Sequence, residues 1–486
     1  MTTPIEPSRT PSAVSRRRTR LRRTVVAAGT FATAGYIAGA HAPLERPEAA
    51  SAAAPHGAAL EQVLADPTLT TGALWLDLVD PAQGEGSSEA ELARWVVELD
   101  ARAAVDAAPT SFYAGPEHTF RITGSPAALA AIHDELRAHP LVEGIEPEAL
   151  AQLPEDPASA ASAGSDAPEA LKPERGRFVP NDEYFALQWH MEQIHAPEAW
   201  AAGERGAGAV VAVIDTGVAW KTEHGVVKLP DLEGVSFVHG RSFIQGAPDG
   251  LDDHAHGSHV AGTIAQATHN RIGVAGVAHR ATIMPLKVLS AQGSGGVGGI
   301  ADAIRYAADN GAHVINMSLG SAFPSSALTK AIAYAHGKGV TVVCAAGNSR
   351  RARIDHPAAA PHAVAVGAVD YERNLTFYTN WGAALDVTAP GGDTRTDKNG
   401  DGHPDGVLQN TIQIQRPADN DYLWFQGTSM ASPHAAGVAA LIVGEGVTNP
   451  DEVERILKAT AVHPKGVEWD EFHGAGIIDA AAATER

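Results

Sequence analysis

One cysteine, Cys344, stands in 486 residues. No intrachain disulfide can form, so packing, bound metal or both must hold the chain together. Charge is sparse, at 19% of residues, and bases are outnumbered 36 to 57 by acids. The first 23 residues carry seven Arg against one Glu, so the net charge of −21 becomes −27 over the rest. An acidic body of this kind argues against a nucleic-acid partner and suits a soluble, non-sticky protein. Membrane-spanning character is weak too. After Arg16, Arg17, Arg18, Arg20, Arg22 and Arg23 comes TVVAAGTFATAGYIAGA, 17 uncharged residues that are short and Ala/Gly-rich for a span. They read as the apolar region of an export signal, with Ala38-Gly39-Ala40 as a small-x-small cleavage pattern. Residues 1–40 are therefore expected to direct the protein out of the cell or into the envelope, and the paired arginines permit a twin-arginine route. A membrane partner is expected only if this segment stays uncleaved.

Apolar residues are plentiful, at 44%, and the length allows two or three domains. Residues 41–70 are Ala/Pro-rich and read as a linker. Residues 71–150 alternate strand-like and helix-like patterns: GALWLDLV, a helix behind Ser88 and Glu91 as a capping box, HTFRITG, a helix opened by Ser125-Pro126, and LVEGIEPEA. That order predicts a small α+β domain. Residues 151–180 are rich in Ala, Pro, Ser, Asp and Glu and read as a flexible linker. In 181–486 the runs GAVVAVID, ATIMPLKVL, AHVINMSL, VTVVCAAG and HAVAVGAV are apolar throughout, as strands buried on both faces are. Helical segments lie between several of them. The expected fold class is α/β, a mostly parallel sheet flanked by helices.

In such sheets functional residues gather beyond the carboxyl ends of strands. Asp215 ends one run, Asn348 ends another, and His256 and His259 sit at a helix start. Ser429 opens a run of small residues, GTSMASPHAAGVAAL, with Pro433 taken to lie in its first helical turn. Alone, each has a plain reading: Ser429 as an N-cap, Asp215 and Asn348 as turn formers, His256 as a helix-start neighbour. Together they supply a nucleophile, a base that removes its proton, a carboxylate that orients the base, and an amide donor for an oxyanion. His259 and Cys344 read as packed core residues.

The motifs VIDTGV, HGSHVAGTIA, NMSLG, AAGN and GTSMASPHAAG, in this order, resemble the subtilisin-like serine proteases, or subtilases. The resemblance implies Ser429 as nucleophile, His256 as general base and acid, and Asp215 as its orienting carboxylate. It implies Asn348 and the Ser429 N–H as oxyanion hole, with Gly347 and Thr428 beside them. Ser318-Leu319-Gly320 and Gly293-Ser294-Gly295 resemble the two edges that pair with an extended polypeptide substrate. Residues 71–150 resemble the family's propeptide, which implies an intramolecular inhibitor and a zymogen. Ala255 and Ser258 depart from the Gly-His-Gly-Thr-His of many relatives. The alternatives are a catalytically silent calcium-dependent binding module and a specific processing protease.

Calcium is the expected cofactor. DKNGDGHPDG places Asp397, Asn399, Asp401 and Asp405 at positions 1, 3, 5 and 9 of an EF-hand-like loop, although Leu408 replaces the Glu of position 12. An acidic solvated turn is the plain alternative. THNRIGVAGVA resembles the family calcium loop, with Asn270 offering its side chain and Asp231 and Asp182 matching positions that contribute carboxylates. Arg350, Arg351 and Arg353 follow Asn348, near where relatives form the primary specificity pocket. They would favour acidic substrate side chains there, unless they are only a solvated loop.

Overall fold

The computed structural model describes residues 58–78, 94–99, 105–109, 119–153, 161–163, 168–169, 171–172 and, except for 248, 322 and 415, 175–485. The expected export signal and the Ser88–Glu91 capping box lie outside these residues. Among the described residues, no helix is long and apolar enough to cross a membrane.

All five apolar runs are strands of one parallel sheet. From one edge its order is Val387–Pro390, Ala363–Val369, Thr341–Ala345, Val314–Met317, Val210–Asp215, Thr282–Lys287 and Ser236–Phe237, with Arg241–Ser242 also on Thr282–Lys287. Alternate residues face opposite sides. Val211 and Val213 pack with helices His256–Ala265 and Thr428–Gly444. Ala212 and Ile214 pack with helices Val297–Asp309 and Ser326–Gly337. Both faces are covered, which is why the runs lack polar alternation. Val210–Asp215 is followed in sequence by a neighbour on one side and then by Val314–Met317 on the other. Its carboxyl end is thus a switch point where a crevice opens, and Asp215 sits there. Cys344 is buried in the sheet.

The amino-terminal unit is a smaller sheet in the order Val142–Gln152, Thr70–Leu78, Thr119–Thr123, Asp106–Pro109. Helix Pro126–Arg137 begins as expected, with Ser125 Oγ accepting from Ala128 N at 3.2 Å. Two boundaries differ from expectation. Residues 58–65, read as linker, form a helix whose Leu60 and Leu64 enter this unit's core. Ala161–Ser162, inside the expected flexible linker, pairs with the edge of strand Arg416–Phe425. An unpaired sheet edge offers hydrogen bonds to any extended segment, whatever its composition.

The unit packs on the larger sheet's helices. Trp75, Ala149 and Ala151 join the core that contains Val297, Ile300 and Leu328. Glu146 accepts from Ser325 Oγ at 2.8 Å and Ser326 N at 3.1 Å, so it places a carboxylate on the N-terminus of helix Ser326–Gly337. Lys330 bridges Asp77 and Glu143.

Helix Thr428–Gly444 is buried along almost its whole length. Pro433 is its sixth residue and lies inside the helix, beyond the first-turn position expected from sequence. Lacking an N–H, it leaves the carbonyl of Ser429 without its normal donor. Ser318 Oγ supplies the replacement at 2.8 Å. Asn316 Nδ2 holds Ser318 Oγ at 3.1 Å, and Asn316 Oδ1 accepts from Ser432 Oγ at 2.7 Å.

The same helix carries a buried histidine pair. His434 Nδ1 donates to Met430 O at 2.7 Å, so its Nε2 accepts from His190 Nδ1 at 2.8 Å. Burial depresses His434 to about 4, and His259 and His279 to about 3. Burial also holds His190 well below 6.5. The unfolded chain protonates these groups near pH 6.5 and the folded one does not. Each therefore removes up to about 1.4 kcal/mol of stability per pH unit below that point. Asp231, pushed up to about 8 by burial, works in the opposite direction. Among these five groups the histidines prevail, and a net loss of stability is expected from pH 6.5 to 5.5. Denaturant melts of an inactive variant at these pH values check this, and equal midpoints would contradict it.

Candidate active site

Asp215 is fully buried at the end of its strand, and its Oδ1 accepts from Thr216 N at 2.7 Å and from His256 Nδ1 at 2.8 Å. The bond fixes the tautomer: Nδ1 carries the proton, and Nε2 is left as the base. His256 opens its helix. The turn before it is held by Asp252, a fully buried carboxylate that sequence reading did not single out. Asp252 Oδ1 accepts from Thr216 Oγ1 at 2.9 Å, His254 N at 2.9 Å and Ala255 N at 3.1 Å. Its Oδ2 accepts from Ser258 N at 3.0 Å and Ser258 Oγ at 2.6 Å. One side chain thus locks the loop bearing Asp215 to the loop bearing His256. The signal was present as an acid four residues before the histidine, but acids in loops are common.

The two departures from the relatives' pattern have different outcomes. Ser258 keeps the bonding of a hydroxyl residue, since its Oγ also accepts from Ala219 N at 2.9 Å. Ala255 takes φ 103°, a conformation that favours glycine and costs a residue with a Cβ about 1–3 kcal/mol. Gly257 cannot be replaced in the same way, because a Cβ there would lie 2.1 Å from Gly217 O.

Ser429 is the second residue of its helix. Its hydroxyl donates to Ser318 O at 3.3 Å, and only 2% of the residue is exposed. Asn348 is oriented by Thr428, whose N and Oγ1 donate to Asn348 Oδ1 at 2.9 and 2.8 Å. Gly347 N completes the clamp on Thr428 Oγ1 at 3.1 Å. With Oδ1 engaged, the donor end of the Asn348 amide is turned to the other side. Asn380, also missed from sequence, braces this corner through Ala346 O, Ser349 N and Arg351 N, each at 3.1 Å.

The two expected substrate edges are brought face to face, with the chain's own strand between them. Leu150, Ala151 and Gln152 pair with Gly296, Gly295 and Ser294. Gln152 N donates to Gly320 O at 2.8 Å, and Gly320 N returns a bond to Gln152 O at 2.9 Å. Leu153 N donates to Gly293 O at 2.9 Å. The end of the amino-terminal sheet is therefore a middle strand of the crevice. His259 is a core residue: its Nε2 donates to Val407 O and Leu423 O at 3.0 Å, and its ring stacks on Phe425.

The expected metal residues form two groups. Asp401 N donates to Asp397 Oδ1 at 3.1 Å, Asn399 Nδ2 donates to Asp401 Oδ2 at 2.8 Å, and Asp405 Oδ2 accepts from Lys398 N at 2.6 Å. Asp405 is fully buried, and its Oδ1 has no protein hydrogen-bond partner. In the second group Asp182 accepts from His269 N at 2.7 Å and Asn270 N at 2.8 Å, and Asp231 from Asn270 Nδ2 at 2.8 Å and Val274 N at 2.9 Å. Arg350, Arg351 and Arg353 are exposed, and Arg351 donates to Ser349 Oγ at 2.8 Å.

Residues 206–476 match the model of the subtilase family. The chain belongs to the subtilase family. It is similar to subtilisin Savinase from Lederbergia lenta, 39% identical over 303 residues that cover 62% of this chain and 99% of that one. It is 38% identical over 295 residues to thermitase from Thermoactinomyces vulgaris, covering 60% of this chain and 95% of thermitase. Among solved structures it resembles a protease of Pseudoalteromonas arctica, at 35% identity and a TM-score of 0.56, over 63% of this chain and 98% of that one. This subtilase is a serine endopeptidase acting on polypeptides.

Proposed function

We propose that this subtilase is an exported zymogen in which Ser429, His256, Asp215 and Asn348 carry the chemistry and residues 58–153 form an inhibitory propeptide. The observation that carries the reading is the strand Leu150–Leu153, hydrogen-bonded to both crevice edges beside the buried His256–Asp215 pair and the helix of Ser429. Ser429 Oγ leaves its contact with Ser318 O and attacks the scissile carbonyl. His256 Nε2 takes the proton, and Asp215 stabilises the imidazolium through Nδ1. The oxyanion receives the Asn348 Nδ2 and Ser429 N hydrogens. His256 then protonates the departing amine, and water repeats the sequence on the acyl-enzyme. Leu150–Leu153 excludes other polypeptides until the propeptide is cut and released. A fluorophosphonate probe tests this: it should label the matured enzyme on Ser429 and label the uncut precursor slowly. Equal labelling of both forms would overturn the inhibitory role, and absence of labelling from matured protein would favour the silent binding module.

Calcium fits both acidic groups. Asp405 Oδ1 is a buried oxygen without a protein partner, on a turn with Asp397, Asn399 and Asp401, and four oxygen-bearing side chains suit a hard cation. Asp231 and Asp182 bring two carboxylates to Asn270 and loop 268–274, and burial, with the Asp182 charge beside it, pushes Asp231 up to about 8. The ion would neutralise charge and tie loops that no disulfide holds. Binding to the folded state alone stabilises by about 2.7 kcal/mol at a hundredfold excess over Kd. Chelation is expected to lower Tm and to speed self-digestion, and Asp401→Ala should reproduce part of both. Unchanged melting and autolysis in chelator would reject the calcium reading.

A further inference from the structure

Asp355 is a half-buried acid that the chemistry above does not use. Its N donates to Ala346 O at 3.1 Å, and its neighbour His356 accepts from Ser321 N through O at 2.7 Å. It therefore stands between the corner that bears Asn348 and the substrate edge at Gly320. A Cβ built on Gly347 would meet Asp355 Oδ2 at 2.2 Å, and one built on Gly320 would meet Asp355 Cβ at 3.7 Å. Gly347, at φ 103°, is what leaves room for the carboxylate. Asp355 Oδ1 is buried without a protein hydrogen-bond partner. Burial pushes the carboxyl up, while Arg351, Arg353 and Asn380 pull it down.

The inference rests on the crevice reading given above. The residue whose carbonyl is attacked has its oxygen at Asn348 and its backbone continuing along the Gly320 edge. Its side chain must leave between these two walls, where Asp355 lies. We propose that Asp355 determines specificity there and that the enzyme prefers substrates with Lys or Arg at the cut residue. An ammonium or guanidinium gives the orphaned carboxylate oxygen a charged partner, and the aliphatic stem covers the apolar walls. A Leu leaves that oxygen buried and unpaired, and a Glu adds a second negative charge. The neighbouring arginines do not reverse the preference, because all three are exposed and their charge is screened by solvent more than that of a substrate ammonium held against the carboxylate.

The test measures kcat/KM of matured enzyme on peptides that differ only at the cut residue, carrying Lys, Leu or Glu. Rates are normalised to active sites titrated with a serine-reactive phosphonate, so incomplete folding does not count. Lys is expected to exceed Leu by about tenfold or more, the scale of a buried charge pair, with Glu last. Asp355→Asn should lower the Lys-to-Leu ratio at least tenfold. A wild-type ratio of one or less, a preference for Glu, or a Lys preference that survives Asp355→Asn would each overturn the inference. Cleavage of none of the peptides by unlabelled enzyme from a preparation whose sites titrate with the phosphonate would instead strike at the crevice reading itself.

Discussion

Replacing Ser429 by Ala is expected to lower peptide hydrolysis by roughly a millionfold, the scale found on removing the nucleophile of a subtilisin. The fold should survive. Only a hydroxyl is lost, and its hydrogen bond among the described residues is the 3.3 Å contact to Ser318 O. The backbone carbonyl of Ser429 keeps its partner in Ser318 Oγ, so the helix start does not change. Because strand Leu150–Leu153 already lies between the crevice edges, the variant should also accumulate as full-length precursor. Mass spectrometry reports the chain length, circular dichroism the fold, and a peptide assay the activity. Normal hydrolysis by folded Ser429→Ala protein would end the mechanism. Efficient maturation of purified variant without added protease would show that another nucleophile cuts the propeptide.

Asn348→Ala is expected to reduce kcat by about a hundredfold to a thousandfold with KM little changed; that magnitude was itself measured on a subtilisin. The donor acts on charge that exists only in the transition state, so ground-state binding should not feel its loss. Alanine also removes the acceptor that Thr428 uses, which disturbs the start of the catalytic helix. Asn348→Asp separates the two effects. It keeps an oxygen for Thr428 and replaces the donor by a negative charge, so its kcat should fall at least as far. A loss confined to KM in both variants would place Asn348 in substrate binding alone. Recovery of kcat in Asn348→Asp would assign it a structural role through Thr428.

The sheet was legible from residue pattern alone, because strands buried on both faces must be apolar at every position. The runs ending in Asp215 and Asn348 have that character, and five ordered motifs around them point to one family. Helix Pro126–Arg137 was equally readable, since Ser125 caps it through atoms three residues away. Pattern fails where the partner is distant in sequence. Gln152 bonds to Gly320, and Ala161 pairs with Trp424. Both segments look like linker because edge pairing uses backbone groups that every residue has. The consequence of Pro433 also needed the fold. Its missing N–H was visible, but the donor that replaces it comes from Ser318, on another strand end. The arginines after Asn348 were conspicuous in sequence and lie in solvent, while Asp355, an acid two residues beyond them, lies against Gly347. Charge type is written in the chain, but which charge is desolvated depends on the walls around it. Those walls are assembled here from Gly320, Gly347 and Asn380, residues that meet only after the sheet has formed.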